Sequence, residues 1–156
     1  MRHLSIAKYR EGFTLIELVI TIAAIGILVA ILVPTLKSSV RKANEASAVS
    51  TLNAIKTAQA KYVQDHKEQY GTFRQLYDEG YLDKRFNEDP SHHRGYTFII
   101  TLTSKSEGKT ASYSINANPE QWEGLGATGK NFYYTDADNP ISYARERPAT
   151  PADDVL

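Results

Sequence analysis

Hydrophobic and polar positions divide the chain into three regimes. From Phe13 to Val33 nearly every residue is apolar. At about 1.5 Å of rise per residue, a helix over this run spans roughly 30 Å, the thickness of a bilayer's hydrocarbon core. Beyond Pro34 the pattern becomes amphipathic. Val40, Ala43, Ala46, Val49, Leu52, Ile55, Ala58 and Tyr62 recur at intervals of three or four, with Lys, Glu, Asn and Gln between them. One long helix is predicted from Phe13 to about His66, with a bilayer anchor first and the spine of a soluble domain second. Past Gly71 the period shortens. Thr72 caps a short helix that runs through Glu79 and stops at Gly80. "YTFIITLTS" and "ASYSINA" then alternate as strands around a turn containing Gly108, "NFYYT" adds a third, and "ISYARE" is a candidate fourth.

Composition narrows the function classes. Lys+Arg and Asp+Glu are both 18, so no global basic field marks a nucleic-acid binder. Cys is 0, which excludes disulfide staples and thiolate metal sites. Ten tyrosines, all but one beyond residue 60, fit a β-rich, half-exposed C-terminal domain. The residues before the apolar run are basic on balance, with Arg2, Lys8 and Arg10 against Glu11. That favours a cytoplasmic N-terminus, although Lys37, Arg41 and Lys42 follow the run. A cleaved secretory signal has a shorter apolar region with its small-residue site behind it. Here the small residue, Gly12, stands in front, so cutting there sheds the leader and keeps the helix.

One carboxylate, Glu17, sits near the start of the apolar run. In "EGFTLIELVIT" a basic leader ends in Gly12, Phe13 comes next, and the Glu lies four residues beyond the Phe. This stretch resembles the N-terminal signal of type IV pilins and of type II secretion pseudopilins, strongly over residues 8–40 and only in architecture after that. The resemblance implies cleavage by a prepilin peptidase between Gly12 and Phe13, N-methylation of Phe13, and polymerisation through the helix. A carboxylate buried in an apolar setting needs a partner. Cleavage creates one in the α-amine of Phe13, and in the family the favoured partner is the amine of a neighbouring subunit. The alternative is that Glu17 rests at headgroup level. Gly26 and Pro34 weaken the helix; the resemblance implies a bend at Pro34 and local unwinding from Gly26 to Pro34 in a filament.

The expected fold is α+β and pilin-like, a long N-terminal helix packed on a small antiparallel sheet. The expected parts are a leader over 1–12, an assembly helix over 13–36, a soluble domain over 37–145 and a flexible tail over 146–156 with little to bury. Other motifs carry less. His92 and His93 are adjacent, so their side chains diverge in extended chain, and a solvated loop is expected there. The literal G-x-G-x-x-G of Gly124–Gly129 fails as a dinucleotide fingerprint, because the segment after it is aromatic and strand-like and no helix opens there. Trp122 is expected to be a core or packing residue that pins this loop. In "YTDADNP", Asp136 and Asp138 offer oxygens at alternate positions. Some major pseudopilins hold calcium in a C-terminal loop, which makes these two candidate ligands; an Asx-capped turn is the alternative.

Three functions stand open: a filament subunit, a membrane-tethered binding module and an enzyme. No nucleophile–base–acid grouping is legible, and the resemblance implies assembly rather than catalysis. The resemblance implies a homopolymer drawn from the bacterial inner membrane, where lipid solvates the helix, into a surface or periplasmic filament. It also implies an inner-membrane assembly platform and a motor ATPase as partners. Type IV pilin and type II secretion pseudopilin are not separated by these residues, and neither is any nucleic-acid role.

Overall fold

A computed structural model of the chain describes residues 12–67, 69–106 and 110–156. The basic leader and the turn glycine Gly108 lie outside the described residues. The chain divides into two compact units, Met1–Leu36 and Lys37–Leu156. The helix α1, Leu15–Asp65, supplies the described helical part of the first and the spine of the second.

In the first unit α1 is apolar on every side, and its large side chains are exposed from Phe13 through Val33. A helix without a polar face has nothing to turn toward water. It is long and apolar enough to cross a membrane. The few polar side chains fold back on the backbone: Thr21 Oγ1 donates to Glu17 O at 2.7 Å, and Thr35 Oγ1 to Ile31 O at 3.1 Å. Such bonds leave the hydroxyl with a partner inside lipid. The helix runs through Gly26 and Pro34 without a break.

The second unit is built on the rest of α1. Ala48, Leu52, Ile55, Ala58 and Tyr62 are buried against a sheet of six antiparallel strands. The strands are β1 (Ser91–His93), β2 (Tyr96–Thr103), β3 (Ser112–Pro119), β4 (Asn131–Asp136), β5 (Ser142–Arg145) and β6 (Asp154–Val155), each hydrogen-bonded to the next. Alternation decides the core face: Phe98 and Ile100 of β2, Tyr113, Ile115 and Ala117 of β3, and Tyr133 of β4 join the helix residues. The amphipathic stripe is only half used here. Val40, Ala43 and Ala46, expected on the buried face, are exposed, because the buried register begins at Ala48 and continues through Thr51, Leu52 and Ile55.

Two polar devices fasten the spine to the segment after it. Gln59, fully buried, donates from Nε2 to Gly71 O at 2.6 Å and accepts from Gly71 N at 3.0 Å. The short helix α2, Phe73–Asp78, opens with a capping box in which Thr72 and Gln75 bond reciprocally. It places Phe73 and Leu76 in the core, with Phe73 beside Phe86.

The polar segment before β2, expected as a loop, contains β1, which pairs Ser91 with Phe98 and His93 with Tyr96. The C-terminal tail is a second correction. It does bury something: Ala149 is 2% exposed and packs with Phe132 and Ala144 on the face of the sheet away from α1. Asn116 Nδ2 donates to Ala149 O, Ser142 Oγ donates to Thr150 O, and β6 pairs with β5. Arg147 and Asp153 form a two-point ion pair that closes the tail on itself, with Thr150 donating to Asp153 through N and Oγ1. These links join separate stretches, Asn116 reaching Ala149 across 33 residues, and the Pro-containing, polar composition gave no apolar periodicity from which to read them.

Two outcomes are expected. A soluble form starting near Ser38 should fold, and in it Gln59→Ala should lower stability by about 1–3 kcal/mol for each orphaned backbone group of Gly71, read by urea denaturation. The Arg147 guanidinium and the Thr150 donors hold Asp153 far below the usual carboxylate range. A depressed folded-state pKa contributes stability that is present above the unfolded value, near about 4, and is lost as pH falls below it. Protection factors of the tail amides, corrected for the intrinsic exchange rate at each pH, should therefore hold at neutral pH and fall only in strong acid, and Asp153→Asn should lower them at neutral pH.

Candidate functional site

The site predicted from sequence lies at the start of α1. Gly12, Phe13 and Thr14 precede the helix in non-helical backbone, and Phe13 is 78% exposed. A side chain at Gly12 would meet open space, so nothing among the described residues requires glycine there. An outside agent that reads the backbone at close range would require it.

Thr14 caps the helix. Its carbonyl accepts the first helical bond, from Leu18 N at 3.2 Å. Its N and Oγ1 donate to Glu17 Oε2 at 2.9 and 2.7 Å, and Glu17 N donates to Thr14 Oγ1 at 3.3 Å. This is a reciprocal capping box, Thr at the cap and Glu three residues on. The pattern T-x-x-E was legible in the sequence, yet Thr14 was not singled out. The cap supplies one physical reason for the carboxylate: it satisfies donors that a helix start leaves unpaired. Both Thr14 bonds fall on Oε2. Glu17 Oε1 accepts no hydrogen bond among the described residues, so half of the carboxylate stays open to a second partner.

The other candidates separate. Asp136 organises the turn after β4 as an Asx turn: its Oδ1 accepts from Asp138 N at 2.9 Å and Asn139 N at 2.7 Å, and its Oδ2 accepts from Asn139 Nδ2 at 2.9 Å and Tyr134 Oη at 3.0 Å. Those bonds lower the Asp136 pKa against the opposing effect of its burial. A residue missed by sequence reasoning, Lys56, reaches the same turn from α1; its Nζ donates to Asn139 O at 2.8 Å and Thr135 Oγ1 at 3.0 Å. The positive charge beside these loop oxygens is thus an ammonium from the spine. The carboxylate of Asp138 shares none of these bonds. Among the described residues no group of three or more His, Asp or Glu side chains could hold a metal.

His92 and His93 do diverge: His92 Nδ1 lies 3.0 Å from Glu120 Oε1, and His93 Nε2 lies 2.9 Å from Arg85 Nη1. Burial and the neighbouring Arg85 and Arg94 lower the His93 pKa. The glycines of the loop before β4 have local reasons. Gly124 takes φ +79°, and a Cβ on Gly129 would lie 2.0 Å from the Tyr96 hydroxyl, which donates to Asn131 O. No helix comes after them among the described residues. The loop is pinned by Asn44 Nδ2, which donates to Thr128 O, and by Glu45, which accepts from Lys130 N. Trp122 is not a core residue: it is 38% exposed and meets Phe132 edge-on.

Residues 7–33 match the family model described as the prokaryotic N-terminal methylation motif. The chain is similar to a protein named "Fimbrial protein" of Pseudomonas aeruginosa, 43% identical over 61 residues, which cover 39% of this chain and 40% of that one. It is 50% identical over 50 residues to the "Type IV narrow pilus major component PilA5" of Thermus thermophilus, covering 32% of this chain and 43% of that one. A third similarity is longer: 29% identity over 106 residues to the "Type II secretion system core protein G" of Vibrio cholerae, covering 68% of this chain and 71% of that one. The chain thus spans about 40% of the length of the fimbrial proteins it matches. No solved structure matches.

The capping box sets an expected outcome. Thr14→Ala should cost about 1 kcal/mol of helix-start stability. In detergent micelles, hydrogen exchange at the amides of Ile16 to Leu18 should speed up by about fivefold, with exchange in the second unit unchanged.

Proposed function

We propose that this chain, which carries the prokaryotic N-terminal methylation motif at residues 7–33, is the structural subunit of a type IV pilus-like filament. One observation carries the reading. A helix apolar on all sides bears a single carboxylate in its first turn, directly after an exposed, non-helical Gly12–Phe13 junction. Prepilin peptidase cuts that junction, and Phe13 becomes the methylated N-terminus. The open oxygen of Glu17 then takes the amine of a neighbouring Phe13 as the helix leaves lipid for other helices. Van der Waals packing and contacts between helices hold the bundle. The basic leader keeps the N-terminus cytoplasmic before cleavage, in a single-pass inner-membrane precursor. An assembly platform and a motor ATPase supply extraction. The role is assembly, not catalysis.

A second reading has its own support. The similarity to a type II secretion core protein extends over 68% of the chain, well beyond the N-terminal helix. A pseudopilin would use the same cleavage, the same helix and the same Glu17 pairing in a periplasmic filament that drives export. Deleting the gene separates the two: loss of surface filaments marks a pilin, and retention of secreted proteins in the periplasm marks a pseudopilin.

Intact-mass analysis of membrane-extracted protein should give a chain beginning at methylated Phe13, and Gly12→Val should leave the leader attached. Glu17→Ala should spare insertion and processing but abolish sheared filaments. Removing one partner of a buried pair costs about 3–5 kcal/mol, enough to slow or reverse addition at a filament end by a factor of hundreds. Normal filament yield from Glu17→Ala would remove this role, and failure to insert would place Glu17 at an earlier step.

A further inference from the structure

The second unit carries an open cavity of about 400 Å³ between the spine and the loop before β4. Its walls include Arg41 of α1, Trp122 and Glu123 of the loop, Lys130, Arg145 at the end of β5 and Glu146 just after it. Among the described residues, no ion pair or side-chain hydrogen bond engages any of these three cations or two carboxylates. Oppositely charged side chains that share a cavity without pairing leave both signs available to a ligand. A ligand with one charge would meet repulsion from half of this wall. A dipolar ligand, anionic at one end and cationic at the other, would not. The volume suits a headgroup-sized molecule. The indole adds a face for an ammonium.

The surroundings indicate where such a ligand comes from. The loop beside the cavity exposes two large apolar side chains, Trp122 at 38% and Leu125 at 84%, the latter between Gly124 and Gly126. Trp and basic residues together are the side chains that settle at the membrane–water interface.

We propose that this cavity binds the headgroup of a zwitterionic phospholipid with a primary ammonium, the phosphoethanolamine class. The phosphate lies against Arg41, Lys130 and Arg145, the ammonium lies against Glu123, Glu146 and the Trp122 ring, and Leu125 enters the acyl boundary. Charge-assisted hydrogen bonds from the guanidinium forks set the phosphate end. The N–H donors of a primary ammonium satisfy the carboxylates, which a quaternary choline cannot do. The headgroup would hold the second unit at the membrane surface before any assembly. The proposal requires only that the apolar helix lies in a bilayer, not that the chain forms a filament.

The chain contains one tryptophan, so fluorescence reports on the cavity directly. The full-length protein is placed in nanodiscs of phosphatidylcholine alone, or with phosphatidylethanolamine, or with phosphatidylglycerol, and insertion is checked by co-elution. With phosphatidylethanolamine, Trp122 emission should move to shorter wavelength and acrylamide quenching should fall severalfold relative to phosphatidylcholine. The paired changes Lys130→Gln with Arg145→Gln, and separately Glu123→Gln with Glu146→Gln, should each erase the difference while circular dichroism stays unchanged. Leu125→Ser should reduce it. Equal quenching in phosphatidylethanolamine and phosphatidylcholine discs would overturn the proposal. An equal or larger effect of phosphatidylglycerol would overturn it in favour of a plain anion site. Equal protection by soluble phosphoethanolamine in phospholipid-free detergent would show a site for a free solute and overturn the membrane source.

Discussion

Every other feature of this chain depends on one constraint: a helix apolar on all sides cannot be solvated by water. Between Leu15 and Val33 only Glu17 and Thr21 interrupt the apolar surface of α1, and none of that stretch is buried by the rest of the chain. Its backbone bonds are closed internally, as lipid requires. The helix can therefore exchange one apolar environment for another, bilayer for neighbouring helices, with little change in hydrophobic driving force. What distinguishes the two environments must then be specific: packing, and the carboxylate of Glu17. The capping box with Thr14 uses one oxygen of that carboxylate and leaves the other open. The residue is thus satisfied as part of the helix start and still equipped for a partner.

The second unit solves a different problem with the same helix. Beyond Pro34 the chain must bury one side of α1 in water, and it does so with a meander of strands whose order in space matches their order in sequence. Such a sheet has two edges, and both are short: three residues in β1 and two in β6. Short edge strands offer little template for pairing with another chain. The stripe of Val40, Ala43 and Ala46 stays exposed, so the apolar pattern of the spine extends further than the domain's own core needs.

Without cysteine, the C-terminal end is fastened by polar contacts and a small apolar patch. Ala149 covers Phe132 and Ala144, Arg147 and Asp153 close the loop, and two strand side chains, Asn116 and Ser142, take the tail's carbonyls. The turn after β4 is fixed the same way, by the Asp136 carboxylate and by Lys56 from the spine. In both places a carboxylate gathers backbone and hydroxyl donors, and the resulting geometry is local, dense and independent of a large apolar area.

The sequence by itself determined those features that rest on periodicity and on local chemistry. The length of the apolar run, the change of period at Pro34, the cap at Thr72, the hairpin of β2 and β3 and the failure of G-x-G-x-x-G as a nucleotide site were all legible, because each depends on neighbours within a turn or a strand. The Thr14–Glu17 box belonged to the same class and could have been read from T-x-x-E. Tertiary structure decided the rest. Whether Trp122 enters the core depends on what lies across the sheet. Lys56 meets Asn139 across 83 residues of chain, and the tail finds its place on Phe132 through contacts that leave no repeating pattern. The cavity at Arg41 joins residues from three separate stretches of the sequence. Periodicity records which face of an element is apolar; it holds no record of which distant side chains that face will bring together.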